Sequence, residues 1–189
     1  MRVITGTARG RRLREPERDG VRPTTDRVKE GLFSALQFDI PGRRVLDLFA
    51  GTGQLGIECL SRGAASAVFV DADRDAARLV RENLSITGLS DRGEVVQGDA
   101  LAYLARAGKP FDLILLDPPY EGDLLEKAMK AIVSFDILAE SGIMTAEHPA
   151  GRLLPSLEPA LTPRRTYRYG KIAVTLYRRT RPENGSAAG

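Results

Sequence analysis

Two stretches of the chain hold residue types whose spacing suits chemistry. "LDLFAGTGQLGIE" (46–58) spells G-x-G-x-x-G with Gly51, Gly53 and Gly56 behind an apolar run. Set between a strand and a helix, such glycines let the backbone pass close to a ligand at the helix N-terminus. Asp71 follows Gly51 by twenty positions, at the end of the next strand, where a carboxylate accepts from ribose hydroxyls. Taken alone, the pattern fits a dinucleotide as well as any other adenosine-containing cofactor.

Three further features favour S-adenosyl-L-methionine over a nicotinamide dinucleotide. Asp47 sits near the C-terminal end of the first strand, where a carboxylate repels a pyrophosphate and stabilises a cationic amino or sulfonium group. Asp99, in "QGDA" after the third strand, is placed to accept from an adenine amine. A single histidine, His148, leaves few acid–base groups for hydride transfer. Phe49, Thr52, Ala72 and Ala100 stand beside these residues in the same loops and complete the candidate cofactor site.

The second stretch is "FDLILLDPPYEG" (111–122), where a strand runs into Asp117, Pro118, Pro119 and Tyr120. Prolines carry no backbone N–H and hold the preceding residue extended, so this turn presents only acceptors. What it recognises should be a donor. An exocyclic amine of a nucleobase fits, with Asp117 and the Pro118 carbonyl each accepting one hydrogen. That arrangement aims the nitrogen lone pair at a methyl donor, while Tyr120 stacks on the base. These four residues are the candidate catalytic set.

Such a site needs strand ends lined up side by side, and the pattern supplies them. "RRVLDLF" (43–49), "SAVFVDAD", "GEVVQGDA", "PFDLILLD" and "SGIMTAEH" read as five strands. Between them, "GQLGIECLSRG", "RDAARLVRENLSITG", "LAYLARAG" and "LLEKAMKAIVS" read as helices. In "RDAARLVRENLSITG" the inward stripe is Ala76, Leu79, Val80 and Leu84. Alternation of this kind predicts an α/β, Rossmann-like, mostly parallel sheet with helices on both faces. "RRTYRYG" and "KIAVTLYRR" predict an antiparallel C-terminal edge hairpin. Upstream, "RVITGTARGRRLR" predicts a small hairpin turning at "ARGR". "RPTTDRVKEGLFSALQF" predicts a helix with Val28, Leu32, Ala35 and Leu36 inward. The expected organisation is a basic appendage over 1–38, a catalytic domain over 39–180 and a disordered tail over 181–189.

At 189 residues and 42% hydrophobic, the chain suits one compact domain. One cysteine, Cys59, excludes an internal disulfide and reads as a core residue. No apolar run reaches bilayer length and the start lacks a signal-peptide core, so the expectation is a cytoplasmic protein without membrane contact. The net charge of +3 divides into +4 over residues 1–31, −7 over 32–149 and +6 over 150–189. Basic ends around an acidic middle suit a polyanion, provided the ends converge in space. Arg9, Arg11, Arg12, Arg14, Arg22 and Arg27 are the candidate RNA contacts, with Arg164, Arg165 and Arg168 contributing from the other end. Tyr167 and Tyr169 read as core packing more than base stacking, and His148 as a structural histidine at least as readily as a substrate contact.

Taken together, "DLFAGTGQLGIE", "VFVDAD", "GDA", "LDPPY", "MRVITGTARGRRL" and "RPTTDRVKEGLFSAL" resemble the RsmD family of small-subunit rRNA guanine-N2 methyltransferases. The similarity runs from Met1 to about Arg179, and the two N-terminal segments are its most specific part. It implies a class I methyltransferase fold and methyl transfer to the N2 amine of a guanine in 16S rRNA, without a metal. It also implies a substrate within an assembled or nearly assembled small ribosomal subunit. By this resemblance Asp47, Gly51 and Gly53 surround the methionine part of the cofactor, Asp71 the ribose, Asp99 and Ala100 the adenine, and Asp117 to Tyr120 a flipped guanine. The enzyme is expected to be a monomer. Two rivals remain: a DNA methyltransferase acting on adenine N6 or cytosine N4, since an acceptor-only loop serves any exocyclic amine, and a non-catalytic RNA-binding protein. Gly31 departs from the family pattern by interrupting a helix where alanine is expected.

Overall fold

The computed structural model describes residues 1–16 and 26–179, with the side chains of α1 described from Val28 onward. Arg22, the Thr24–Thr25 helix start, the Arg27 side chain and the proposed tail 181–189 lie outside the described residues. Helices are α1 (Asp26–Leu36), α2 (Gln54–Ser61), α3 (Arg74–Thr87), α4 (Ala100–Leu104) and α5 (Leu124–Ser134). Strands are β1 (Arg44–Asp47), β2 (Ser66–Asp71), β3 (Gly93–Gln97), β4 (Phe111–Leu116), β5 (Leu138–Pro149), β6 (Leu161–Tyr169) and β7 (Ile172–Arg179).

The strands form one sheet in the order β3-β2-β1-β4-β5-β7-β6. The first five are mutually parallel, and β7 runs antiparallel between β5 and β6. The strand order reverses between β1 and β4, so a crevice opens there at the carboxyl ends, which is where doubly wound sheets bind ligands. The expected hairpin is present, but its second strand is inserted into the sheet and only β6 is at the edge. β7 earns that position by composition, since Ile172 to Tyr177 are buried whereas most of β6 is exposed.

Two apolar layers sandwich the sheet. One face carries α4 and α5, with Leu104, Leu125, Met129 and Ile132 against Leu46, Ile114 and Met144. The other carries α1, α2, α3 and the N-terminal segment, with Val3, Leu13, Phe33, Leu36, Ile57 and Val80 against Val45, Phe69 and Leu113. Each such buried side chain contributes about 1.5–3 kcal/mol. The N-terminal segment therefore shares one core with the sheet.

Several local details differ from the pattern reading. The buried stripe of α3 is Ala77, Val80, Asn83, Leu84 and Thr87, because two polar residues face inward with their hydrogen bonds satisfied. Asn83 bonds the backbone of Arg14 and the Thr52 carbonyl, tying α3 to both the N-terminal segment and the glycine loop. In α1 the inward residues include Phe33 and Lys29, while Ala35 is only half-buried. The N-terminal segment is a hairpin with an Arg2–Arg12 bridge, but it reverses over Thr5–Gly10, with Gly6 and Gly10 at φ of +87° and +80°, not at "ARGR" alone.

Gly31 has a packing reason. A Cβ there would lie 1.8 Å from the Tyr169 hydroxyl of β6. Tyr167 and Tyr169 pack against the core, as expected, and α1 lies on β6. The basic hairpin itself seats on α2 and α3, towards the other end of the sheet from β6.

Candidate active site

The carboxyl ends of five neighbouring strands each bring one acid to a common rim. In sheet order they are Asp99 just after β3, Asp71 ending β2, Asp47 ending β1, Asp117 just after β4 and Glu147 near the end of β5. All five line a cavity of about 770 Å³, a volume suited to a cofactor plus a base. Its walls also include Phe49, Gly51, Thr52, Ala72, Ala100, Pro118, Pro119 and Tyr120. Every sequence-derived cofactor or catalytic residue is therefore in the lining except Gly53, which caps α2 at φ +78°.

The glycine loop is shaped by its neighbours. Gly51 adopts φ +53° and Gly53 φ +78°, conformations costly for side-chain-bearing residues. Gly56 is required for packing instead, since a Cβ there would meet the Phe69 ring at 2.3 Å. The Asp71 carboxylate accepts from the Gly51 N–H at 2.8 Å and the Asp73 N–H at 2.9 Å, clipping the loop to the end of β2. Each oxygen keeps a second lone pair for a ligand hydroxyl. Asp99 caps α4 through the Ala102 N–H at 2.8 Å with one oxygen only.

Asp47 is the buried member of the rim, accepting from the Gly56 N–H at 2.9 Å. Burial raises its pKa to about 7 against that hydrogen bond, with further raising by Asp117 and Asp71. The folded carboxyl thus holds a proton, from pH 4 to about 7, that the unfolded chain has already lost. Its contribution to stability is therefore greatest at low pH and falls as pH rises through 7. Asp47→Asn is expected to raise the thermal midpoint, more at pH 8 than at pH 5, by about 2–4 °C for each kcal/mol relieved. Calorimetry at the two pH values checks this; an equal or opposite shift overturns it.

The second wall is the turn after β4. Pro118 is buried, Pro119 exposed, and Asp117 and Tyr120 half-buried. The Tyr120 hydroxyl donates to Glu147 Oε1 at 2.6 Å, so its ring is held at the cavity wall. Arg152 braces the turn from below, donating to the Tyr120 carbonyl at 2.9 Å, to the Gly122 carbonyl and to both Glu126 oxygens at 2.8 Å. Sequence reasoning assigned no role to Arg152, Gln54, Glu15 or Glu147. Glu15 and Met1 of the N-terminal segment close one side of the cavity. Gln54 Oε1, also in the lining residues, is buried without a hydrogen-bond partner among the described residues, an acceptor their bonding leaves over.

His148 is not among the lining residues. Its Nδ1 lies 2.9 Å from the Pro149 carbonyl and must donate to it, leaving Nε2, 2.9 Å from Thr175 Oγ1, to accept. Burial lowers its pKa, consistent with this neutral, structural role. Cys59 is fully buried, and burial pushes its thiol pKa up.

Of the candidate RNA contacts, Arg9 and Arg12 are exposed with their hairpin. Arg11 donates to the Ile86 carbonyl at 3.2 Å and Arg14 to Glu82 at 2.7 Å, so both also pin the hairpin to α3. Arg168 donates to the Ala150 carbonyl, and Arg165 stacks over Tyr167. Among the described residues, no helix is long and apolar enough to cross a membrane.

A sheet of this strand order, with a glycine loop after β1 and acidic strand ends around one cavity, is the class I methyltransferase fold. The chain belongs to the family described as conserved hypothetical protein 95, whose model matches residues 1–178. It is 36% identical over 179 residues to ribosomal RNA small subunit methyltransferase D of Escherichia coli, covering 95% of this chain and 90% of that one. It is 40% identical over 182 residues to YlbH of Bacillus subtilis, provisionally named an rRNA methyltransferase, covering 95% and 99% of the two chains. The solved structure of the Escherichia coli protein yhhF superposes with a TM-score of 0.86 at 37% identity, covering 95% of this chain and 98% of that one. The resemblance to the RsmD family is thereby borne out.

Proposed function

We propose that this protein methylates the exocyclic N2 amine of a guanine in 16S rRNA, within an assembled or nearly assembled small ribosomal subunit in the cytoplasm. The observation that carries the reading is that a glycine loop with acidic strand ends and an acceptor-only turn line one cavity. The cofactor is S-adenosyl-L-methionine, which supplies an electrophilic methyl group on a cationic sulfur. The residues present fit it: positive-φ glycines admit close backbone approach, the carboxylates of Asp47, Asp71 and Asp99 favour a cation, and Gln54 offers an acceptor without a partner among the described residues. Asp47, Phe49, Gly51, Thr52 and Gly53 hold the methionine part, Asp71 and Ala72 the ribose, Asp99 and Ala100 the adenine.

The guanine leaves its stack and enters against the Asp117–Tyr120 turn. Asp117 and the Pro118 carbonyl accept the two N2 hydrogens, which draws the lone pair out of conjugation and aims it across the cavity. Bound there, the cofactor would supply the methyl group that N2 takes up, and Asp117 is placed to take the surplus proton that N2 then sheds. Tyr120 covers the base, Pro119 stiffens the turn, and Arg152 keeps it in place. The exposed arginines of the N-terminal hairpin, Arg9 and Arg12 with Arg11 and Arg14, contact phosphates, joined by Arg22, Arg27 and the β6 arginines.

The test is transfer of label from the cofactor to hypomethylated small subunits, naked 16S rRNA and DNA, followed by nucleoside analysis. N2-methylguanosine in the rRNA of subunits is expected, with weaker or no labelling of naked rRNA. Labelled DNA, or no transfer to any substrate, overturns the reading.

A further inference from the structure

The fifth acid of the rim, Glu147, has no part in the chemistry just described, and its placement fits a different task. In the β4–β5 ladder Leu116 pairs with Ala146, so Asp117 and Glu147 follow side by side at the ends of adjacent parallel strands. Glu147 is 6% exposed and lines the cavity, and its Oε1 takes the Tyr120 hydroxyl at 2.6 Å. A base covered by the Tyr120 ring and held by its amine at Asp117 therefore presents its adjoining edge to the Glu147 carboxylate.

The three candidate bases differ on that edge. Guanine offers two adjacent donors, N1–H and the N2 amine. Adenine and cytosine instead place an acceptor nitrogen next to their amine. With the two amine hydrogens taken at Asp117 and the Pro118 carbonyl, a carboxylate with several lone-pair sites accepts the remaining N1–H even while it holds a tyrosine hydroxyl. Against adenine or cytosine it faces a lone pair in a low-dielectric site, which is repulsive. We infer that Glu147 is the specificity residue that selects guanine, by accepting from its N1–H beside the amine held at Asp117. This rests on the amine-methylation reading above and extends it from the reacting atom to the choice of base.

The test uses 2-aminopurine, which keeps the N2 amine but replaces N1–H with an acceptor. Small subunits are reconstituted with 16S rRNA carrying guanosine or 2-aminopurine riboside at the methylated position, and transfer rates are compared. Wild-type protein should prefer guanosine by roughly 10- to 100-fold, the worth of one hydrogen bond to a charged group. Glu147→Gln places an amide, one donor and one acceptor, against that edge; it should lose the preference and methylate 2-aminopurine at least as fast as guanosine. Cofactor affinity of this variant, measured by calorimetry, should stay within a few-fold of wild type. Tyr120→Phe removes the hydroxyl contact while leaving the carboxylate, and should keep the guanosine preference.

A Glu147→Gln variant with wild-type preference overturns the assignment, and so does Tyr120→Phe losing the preference in the same way, which would reduce Glu147 to a prop for the ring. Wild-type protein that methylates both bases equally overturns it without recourse to any variant. Failure of wild-type protein to methylate guanosine at all is a different result, which removes the underlying reading as well.

Discussion

Asp117→Ala is expected to lower methyl transfer to small subunits by about three orders of magnitude while leaving cofactor affinity within a few-fold of wild type. Two contributions combine in that figure. Loss of a positioned acceptor for a departing proton costs about 10²–10⁴-fold, and loss of a hydrogen bond that strengthens toward the transition state costs a comparable factor. They are not additive, because one carboxylate supplies both. Asp117→Asn separates them: its amide oxygen still accepts from the amine, but the side chain takes up no proton. An asparagine variant much closer to wild type than the alanine variant would assign most of the effect to orientation. Retention of more than about a tenth of wild-type rate by Asp117→Ala would remove this residue from the chemistry. A second readout is independent of turnover. Asp117 is one of two carboxylates that add to the burial of Asp47 in raising its pKa, so removing it should move the pH at which Asp47 ionises downward. The pH dependence of thermal stability should shift with it.

What the sequence made legible was whatever depends on local order. The glycine loop, the acids at the ends of β1 to β4 and the stiff turn all follow from residues within a few positions of a strand end, where period and turn chemistry speak directly. Glu147 was readable as a strand-end acid but not as a wall of the site. Its meaning depends on β5 lying against β4 in the register Leu116–Ala146, a pairing that no local pattern encodes. The same holds for Gly31, which looked like a flaw in a helix until Tyr169 of β6 was found where its Cβ would be. It holds again for β7, whose buried pattern marks it as an interior strand only once β5 is available as its second neighbour. In α3 the error was of another kind. The expected stripe of Ala76, Leu79, Val80 and Leu84 follows apolar residues alone, whereas the polar Asn83 and Thr87 also face inward with partners that satisfy them.

Gly6→Ala is expected to undock the N-terminal hairpin from α2 and so to test the RNA contact proposed for it. The added Cβ would lie 1.8 Å from the Ser61 carbonyl oxygen and 2.3 Å from its carbon, both backbone atoms at the end of α2. Neither can turn aside as a side chain would. Gly6 also sits at φ +87°, which alone costs an alanine about 1 kcal/mol or more. The hairpin's own amides depend on that contact: Ile4 and Thr5 N–H donate to Glu58 at 2.7 and 3.0 Å, Ala8 N–H to Ser61 Oγ at 3.0 Å, and Thr7 N–H to Ser61 O at 2.9 Å. Displacing one displaces all, because they share two adjacent turns of one helix. Hydrogen exchange at Ile4, Thr5, Thr7 and Ala8 should therefore accelerate strongly, and transfer to small subunits should fall at least tenfold. The exchange protection of β1, β4 and β5 should persist, since their ladder bonds to one another and the α4–α5 layer on their other face do not involve the hairpin. Gly10→Ala is the control, because Gly10 has a similar φ of +80° but, among the described residues, nothing within 4 Å of its added Cβ. It carries the backbone strain without the collision, and should weaken the hairpin far less. Equal behaviour of the two variants would show that strain, not the Ser61 contact, governs docking. Wild-type exchange and wild-type transfer in Gly6→Ala would show that the hairpin's seat on α2 is dispensable for rRNA.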